Sequence, residues 1–526
     1  MAIVLSLLIA LASGFLYGIC FPPVAARWLA WIALVPLFVA MRRASMSRAL
    51  VLAAIFAGTG ACATIGWLPR TVAVYFHQPL WVGVALSFGV TLLMVVPWYV
   101  AFAGCYKLFS IRPGAALPLL AGAAWVSGEF ARSHLLTGNP WVLFGYSQVG
   151  VDHVLQVADL IGVYGVSFVL VVVTSASAEL WISWWRTGRI DPGSLGGAAV
   201  AACVLALALG YGHVRLSQFP TAGSRTDVAV VQGNLDLGSQ WRPDLYGRNL
   251  DTYLRLTLDI LRARSVPLIV WPENAMTFFL ETEPVYQAVI ARVLRPFGAQ
   301  LVAGGPATWD ATDPKFSNSA FVISPQGAVL ARYDKERLLP LAEYFPFSSF
   351  DLLRRDFGRL RQFTPGRSAA PLPTAIGPAG VLICNEALFP EFARARVRDR
   401  AAYLVVLSND SWVDSQQYAL ITSDMSSVRA VEQRRYLVRA STSGPSAIVD
   451  PLGRLVVATG RSTSATVVGS IAPSTELTVY ARLGDAFAVA CVVLTTAALV
   501  VGLVSPRVIS VGTAPPERAV RRPPIL

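Results

Sequence analysis

The chain has 526 residues, of which 55% are hydrophobic and only 14% are charged. This composition lies far outside the range of ordinary soluble domains and indicates an integral membrane protein. The formal net charge of +12 does not predict a nucleic-acid partner, because much of the positive charge lies between apolar segments and in the C-terminal tail.

Eight apolar segments are candidates for membrane helices, which need about 17 to 25 residues each. They lie near residues 2–20, 28–41, 50–68, 80–106, 115–133, 162–185, 194–213 and 484–504. The second is the shortest, because Arg27 and Arg42 bound it. The pattern predicts a seven-helix transmembrane domain over residues 1–214 and a C-terminal transmembrane helix over residues 483–505.

Basic residues predict how these helices are oriented. They follow the second, fourth, sixth and eighth segments, where they are Arg42, Arg43, Arg48, Lys107, Arg112, Arg186, Arg189, Arg507, Arg518, Arg521 and Arg522. Because positively charged loops stay in the cytoplasm, both termini are expected there, and the segment between the last two helices is expected on the opposite side. Residues 506–526, rich in proline and arginine, are predicted to form a disordered basic cytoplasmic tail.

Residues 215–482 are polar enough to form a water-soluble domain. Short β-branched runs alternate there with longer amphipathic stretches, a pattern typical of layered α/β domains. We predict strands at 228–232, 268–271, 300–303, 320–324, 329–333, 381–384, 404–407, 437–440, 447–449 and 455–459, and helices at 243–264, 284–294, 389–399 and 421–435. The expected fold class is a multi-span α-helical membrane domain plus an α/β domain.

Cys384 is the only cysteine in this soluble segment, which contains no histidine. A Cys-His pair within the domain is therefore excluded, and a glutamate or lysine must serve as the base if the thiol is a nucleophile rather than a small core residue. Glu273, Lys335 and Cys384 lie at or just after the ends of predicted strands, where functional groups of α/β sheets converge. We expect the three to meet in one cleft, with no metal or cofactor.

Three motifs resemble the Glu-Lys-Cys triad of the nitrilase superfamily: Trp271-Pro272-Glu273, Tyr333-Asp334-Lys335 and Cys384-Asn385-Glu386. The order of apolar and soluble segments resembles that of bacterial apolipoprotein N-acyltransferases, which insert a nitrilase-like domain between seven membrane helices and an eighth. Further stretches that resemble this family are Phe21-Pro22-Pro23, Gly138-Asn139-Pro140-Trp141, Val231-Gln232-Gly233-Asn234 and Ser408-Asn409-Asp410-Ser411-Trp412.

The resemblance implies a nitrilase-like (carbon-nitrogen hydrolase) αββα sandwich over residues 215–482 and a ping-pong acyl transfer. Cys384 would attack the ester of a phospholipid acyl donor and become a thioester, Glu273 would move the protons, and Lys335 would stabilise the oxyanion. The acceptor would be the N-terminal amine of a diacylglyceryl-cysteine apolipoprotein. Such a reaction would belong to lipoprotein maturation.

Two further sets of residues are expected to assist the triad. The supporting carboxylates, which would position the lysine or the base, are Glu343 and Glu386. The residues expected to bind substrate are Trp241, Asn385 and Trp412. At the position of Asn385 the family usually carries tyrosine, which predicts an altered acyl or nucleophile pocket.

The resemblance also implies a location and a set of partners. The chain is expected to be a multi-pass protein of the bacterial inner membrane, with its soluble domain in the periplasm and in contact with membrane lipid. It is expected to act as a monomer and to bind no nucleic acid.

Two other functions are compatible with the same residues. A membrane-anchored nitrilase-type amidase would use the triad to hydrolyse a small amide, and a degenerate homologue would bind lipoproteins without catalysis. The resemblance in the membrane half disfavours the amidase. The intact triad disfavours the degenerate homologue.

Overall fold

A computed structural model describes residues 2–111, 114–218, 225–236, 242–308, 315–344, 363–368 and 370–504. The α-helices before the soluble domain are α1 (Ala2–Ile19), α2 (Val35–Arg43), α3 (Met46–Ile65), α4 (Leu68–Tyr75), α5 (Leu80–Met94), α6 (Val96–Phe109), α7 (Leu117–His134), α8 (Asp152–Leu155), α9 (Ala158–Thr187) and α10 (Pro192–Ser217). The last of these ends three residues beyond the predicted boundary at 214.

The length and apolar composition of these helices make the chain a membrane protein. Within the described residues, four segments are long and apolar enough to cross a membrane: Met46–Ile65, Leu80–Phe109, Ala158–Thr187 and Pro192–Ser217. Shorter apolar helices occupy Ile3–Ile19 and Ala486–Gly502. The predicted second segment is not one continuous helix, since a 3₁₀ helix at Arg27–Trp31 precedes α2, whose first turn contains Pro36. The count of eight spans stays a prediction.

Glycines let neighbouring membrane helices approach closely. A Cβ atom added at Gly14 of α1 would lie 2.6 Å from the carbonyl oxygen of Phe56 on α3. One added at Gly122 of α7 would lie 2.9 Å from the ring of Phe168 on α9. Close packing of this kind holds helices together in lipid, where the hydrophobic effect contributes little to their association.

The soluble domain contains two six-stranded sheets. The strands are β1 (Thr226–Gln232), β2 (Leu268–Val270), β3 (Gln300–Thr308), β4 (Phe316–Ile323), β5 (Val329–Asp334), β6 (Leu372–Thr374), β7 (Gly377–Ile383), β8 (Tyr403–Ser408), β9 (Leu437–Ser441), β10 (Ala447–Val449), β11 (Leu455–Ala458) and β12 (Ala465–Ile471). Their order is β12-β1-β2-β3-β4-β5 in the first sheet and β11-β10-β9-β8-β7-β6 in the second. In each sheet three central strands are parallel and the flanking pairs are antiparallel.

Helices cover the outer face of each sheet. They are α11 (Tyr246–Ala263) and α12 (Pro284–Leu294) on the first sheet and α13 (Pro390–Arg398) and α14 (Gln416–Gln433) on the second, followed along the chain by α15 (Val479–Leu483) and α16 (Ala486–Val504). Val230 of β1 packs with Val405 of β8 between the sheets, whereas Val231 packs outward with Leu250 of α11. Both faces of the central strands are buried, which explains their continuous apolar sequence. The predicted αββα sandwich is confirmed.

Helix α14 attaches the sandwich to the membrane helices. Its residue Ala430 packs in the core beneath the second sheet, while Met425 packs in the same core as the membrane helices. Polar contacts reinforce this junction, since Arg429 donates to the Tyr146 hydroxyl at 3.1 Å and Glu432 accepts from the backbone N–H of Val163 at 3.0 Å. The sandwich is therefore fixed in place above the bundle.

Candidate active site

The three candidate catalytic residues come from both sheets. Glu273 lies after β2, Lys335 directly follows β5, and Cys384 directly follows β7. The Lys335 Nζ atom lies 3.8 Å from Glu273 Oε1, and the Cys384 thiol interacts electrostatically with both side chains. The structure thus brings together the three residues that the strand ends predict.

Cys384 lies where the chain changes direction sharply. Its φ of +54° is in the left-handed region, which residues other than glycine rarely adopt and which is often found at functional sites. A 3₁₀ helix, Cys384–Leu388, begins at the same residue. Burial and then the negative charge of Glu273 raise the pKa of Cys384 well above its ordinary value, against the opposing charge of Lys335. The resting thiol is therefore neutral and needs a base to become a strong nucleophile.

Glu273 has the position and bonding of such a base. It is 4% exposed, and its two carboxylate oxygens accept hydrogen bonds of 2.7 Å from Asn318 Nδ2 and from the backbone N–H of Asn409. Burial raises the pKa of Glu273; the positive charge of Lys335 opposes this rise, and the negative charge of Glu343 adds to it. A raised pKa brings a carboxylate closer to the range in which general bases work near neutral pH.

Lys335 is held by a second carboxylate, that of Glu343. The Lys335 Nζ atom lies 2.9 Å from each Glu343 oxygen. Glu343 itself accepts hydrogen bonds from the backbone N–H of Leu339 at 2.7 Å and from Asn318 Nδ2 at 2.9 Å. Burial by itself would lower the pKa of Lys335, but the surrounding negative charges, with Glu343 first among them, outweigh burial and raise it. Lys335 therefore stays charged and is suited to stabilising an oxyanion.

Two asparagines of the site are not among the predicted site residues, although Asn409 belongs to a stretch that resembles the family. Asn318 lies inside β4 and donates to both Glu273 and Glu343. Asn409 follows β8, which pairs with β7, the strand that Cys384 follows. Its place at a strand end is a signal that identifies Asn409, whereas nothing in the sequence distinguishes Asn318 until its partners are known.

Glu386 does not contact Lys335 or Glu273 through a hydrogen bond or ion pair among the described residues, in contrast to the role predicted for it. Its carboxylate is fully buried. It accepts hydrogen bonds from the backbone N–H of Ile383, the Tyr333 hydroxyl and the backbone N–H groups of Glu336 and Arg337, at 2.7, 2.7, 2.7 and 3.1 Å. Glu386 thereby ties the chain around the nucleophile to the chain that follows the lysine.

Replacing Glu386 by glutamine is expected to lower the free energy of unfolding by about 2 to 4 kcal/mol, because the amide places an N–H₂ group against backbone donors. Thermal unfolding of the purified protein in detergent measures this loss. The matched control is Glu281→Gln, which breaks an ion pair of 2.7 Å with Arg332 nearer the surface and is expected to cost about 0 to 1 kcal/mol. Equal losses in the two variants would refute the organising role of Glu386.

An apolar cavity of about 250 Å³ lies between the sandwich and the membrane helices. Asn385, the residue after the nucleophile, and Trp412 line it together with residues of α3 and α5, such as Ala57 and Met94. The Asn385 Oδ1 atom is buried without a hydrogen-bond partner among the described residues. Trp241 lies outside the described residues. Two of the three predicted substrate-binding residues therefore share a cavity with membrane helices.

Solved structures similar to this chain include amidases and hydrolases. An amidase of the nitrilase superfamily from Nesterenkonia AN1 is 20% identical, covers 50% of this chain and 95% of its own, and has a TM-score of 0.38. A carbon-nitrogen hydrolase from Helicobacter pylori is 18% identical, covers 47% of this chain and 90% of its own, and has a TM-score of 0.37.

Family models and sequence relatives cover both halves of the chain. The model of the apolipoprotein N-acyltransferase N-terminal domain matches residues 13–176, and that of carbon-nitrogen hydrolase matches residues 227–478. The apolipoprotein N-acyltransferase of Geobacter metallireducens is 33% identical over 92% of this chain and 93% of its own length. That of Gloeobacter violaceus is 28% identical over 95% of this chain and 94% of its own. The chain belongs to the apolipoprotein N-acyltransferase family.

Proposed function

We propose that this chain transfers a fatty acyl group from a phospholipid, through a thioester at Cys384, to the N-terminal amine of a diacylglyceryl-cysteine lipoprotein. The observation that carries the mechanism is the shared cavity, in which Asn385, next to the nucleophile, and membrane helix α3 line one apolar space. A lipid acyl chain held there would present its ester close to the thiol. Family membership supports both lipid-linked substrates.

The first half-reaction forms the thioester. Glu273 takes the proton from the Cys384 thiol, and the thiolate attacks the carbonyl carbon of a phospholipid ester. Lys335 stabilises the negative charge on the carbonyl oxygen of the tetrahedral intermediate. The intermediate collapses as the carbon–oxygen bond breaks, and Glu273 returns the proton to the departing lysophospholipid alkoxide. Atoms and charge balance without a cofactor.

The second half-reaction forms the amide. The neutral α-amine of the acceptor attacks the thioester carbonyl, Lys335 again stabilises the oxyanion, and Glu273 accepts a proton from the amine nitrogen. The carbon–sulfur bond then breaks, and the proton passes from Glu273 to the Cys384 sulfur. Water would compete with the amine, so the burial of Glu273 and Lys335, 4% and 1% exposed, favours transfer over hydrolysis.

The proposal includes an orientation and an assembly. We place the sandwich on the periplasmic side of the inner membrane, supported by the basic residues at the opposite ends of the helices. Exposed Trp181, Trp184 and Trp185 lie at that opposite end of α9, as expected for an interfacial aromatic belt. The triad and the cavity come from one chain, which supports a working monomer. Residues 1–214, 215–482 and 483–505 remain our proposed domains, and the tail at 506–526 lies outside the described residues.

The test is the intact mass of a diacylglyceryl lipopeptide incubated with phospholipid and the purified protein. We expect a gain of one acyl group on the lipopeptide and none on a matched lipopeptide whose α-amine is acetylated. Release of ammonia from small soluble amides, without acylation of the lipopeptide, would favour the amidase and overturn the proposal. Reaction of neither substrate would favour the degenerate homologue.

A further inference from the structure

The cavity lined by Asn385 and Trp412 also has polar lining residues that the proposed chemistry does not use. They include Tyr17, Thr64, Tyr99 and Arg132. Each lies within about one turn of a helix end, in α1, α3, α6 and α7 respectively. The predicted topology places the ends of α1, α3 and α7 on the side of the sandwich, so Tyr17, Thr64 and Arg132 lie toward the membrane surface, whereas Tyr99 lies inside the apolar segment Leu80–Phe109.

Arg132 is a buried cation with no directly bonded anion among the described residues. It is 3% exposed, donates through Nη2 to the carbonyl oxygen of Trp141 at 3.0 Å, and lies 5.8 Å from the ring centre of Tyr99. Within the described parts of the chain, no carboxylate lies at ion-pair distance from Arg132, and its Nε atom has no hydrogen-bond partner. A buried charge left in this state is costly unless a ligand completes it.

The nearby carboxylate of Glu129 does not accept a hydrogen bond from Arg132 Nε. Its Oε1 atom accepts from Trp125 Nε1 at 3.0 Å and from the backbone N–H of Phe144 at 2.6 Å. Its Oε2 atom has no hydrogen-bond partner among the described residues, and no Glu129 oxygen lies within 4.0 Å of an Arg132 nitrogen, so Glu129 attracts Arg132 without forming an ion pair. The Nε donor of Arg132 therefore has no acceptor among the described residues.

A second donor in the same cavity also lacks an acceptor. Trp67 Nε1 is buried without a hydrogen-bond partner among the described residues, and its ring is held against Tyr418 and Trp141, with centroid distances of 4.8 and 5.8 Å. The Thr64 hydroxyl already donates to the carbonyl oxygen of Gly60. Two unmatched N–H donors, one of them cationic, call for a ligand with several anionic oxygens.

We propose that Arg132, assisted by Trp67, binds the phosphodiester of the glycerophospholipid donor. This inference rests on the proposed function, in which a phospholipid enters the cavity. Phosphate and ester lie only a few bonds apart in such a lipid, and Arg132 and Asn385 line the same cavity, so one molecule can contact both residues. Arg132 is then a binding residue that selects a charged donor over neutral acylglycerols.

The test measures lipid binding separately from catalysis. Native mass spectrometry would compare the binding of phosphatidylglycerol with that of diacylglycerol carrying the same acyl chains. Both lipids would be tested on two proteins that carry Cys384→Ala, one with Arg132 intact and one with Arg132→Gln. We expect Arg132→Gln to weaken phosphatidylglycerol binding by about 10- to 100-fold, the loss of one or two charge-assisted hydrogen bonds, and to leave diacylglycerol binding unchanged. Arg132→Lys should restore part of the preference for phosphatidylglycerol over diacylglycerol. The control is Arg70→Gln, at an exposed arginine of α4.

The outcomes separate the proposals. Equal weakening for both lipids, or no weakening for either, would overturn the assignment of Arg132, whether or not the lipopeptide is acylated. Binding of inorganic phosphate that displaces phosphatidylglycerol and depends equally on Arg132 would assign the site to free anions and overturn the lipid assignment. A charge-selective loss in a protein that acylates no lipopeptide would support Arg132 and contradict only the proposed reaction.

Discussion

Replacing Cys384 by alanine is expected to abolish acyl transfer, with turnover lower by at least about 10⁴-fold. The thioester cannot form without the sulfur, and Glu273 and Lys335 have no covalent chemistry to substitute for it. Incubation with phospholipid alone should add the mass of one acyl group to the native protein and none to Cys384→Ala. The acyl group should be released by neutral hydroxylamine, as expected for a thioester.

The matched control is Cys62→Ala, which removes an exposed thiol in α3. This variant should acylate and turn over like the native protein, because Cys62 does not line the cavity. Acylation retained in Cys384→Ala, or lost in Cys62→Ala, would contradict the assignment of the nucleophile.

The sequence predicts the triad because of how α/β sheets are built. The three residues follow strands whose ends meet at one edge of the sandwich, so their places at strand ends, together with the resemblance to the nitrilase triad, predict a shared cleft. The hydrogen bonds of the two supporting glutamates could not be predicted in the same way. Glu343 bonds to Lys335 as expected, whereas Glu386 holds backbone N–H groups, and no sequence pattern separates these two uses of a buried glutamate.

The sequence patterns also fail to predict two strands, β6 and β12, that depend on pairing rather than on their own composition. β6 is three residues long and contains Pro373, and it exists because it pairs with β7 at the sheet edge. β12 pairs along its whole length with β1, although it lies nearly 240 residues later in the chain. Such long-range partners are not visible to local periodicity. Helix α14 likewise begins at Gln416 rather than at the predicted 421, since Ser415 caps it.

Replacing Glu273 by glutamine is expected to slow both half-reactions by about 10²- to 10⁴-fold. Glutamine keeps the size of the side chain and one oxygen that accepts from Asn409 or Asn318, but it cannot take a proton. Acyl-enzyme formation from phospholipid and transfer to lipopeptide, measured separately by mass, should fall together. A fall in only one half-reaction would contradict a single base that serves both.

The pH dependence of the reaction tests the role of Glu273 through its ionisation. The base must be ionised, so the rate of thioester formation from phospholipid, which does not involve the acceptor amine, should fall as pH drops through the pKa of Glu273, which burial holds above its ordinary value of 4.5. The negative charge of Glu343 contributes to that raised pKa. Glu343→Gln should therefore move the acid limb of the rate profile to lower pH, even if the maximum rate falls because Lys335 has lost a partner. An acid limb that stays in place, or moves to higher pH, would show that Glu273 is not the group whose ionisation controls the reaction.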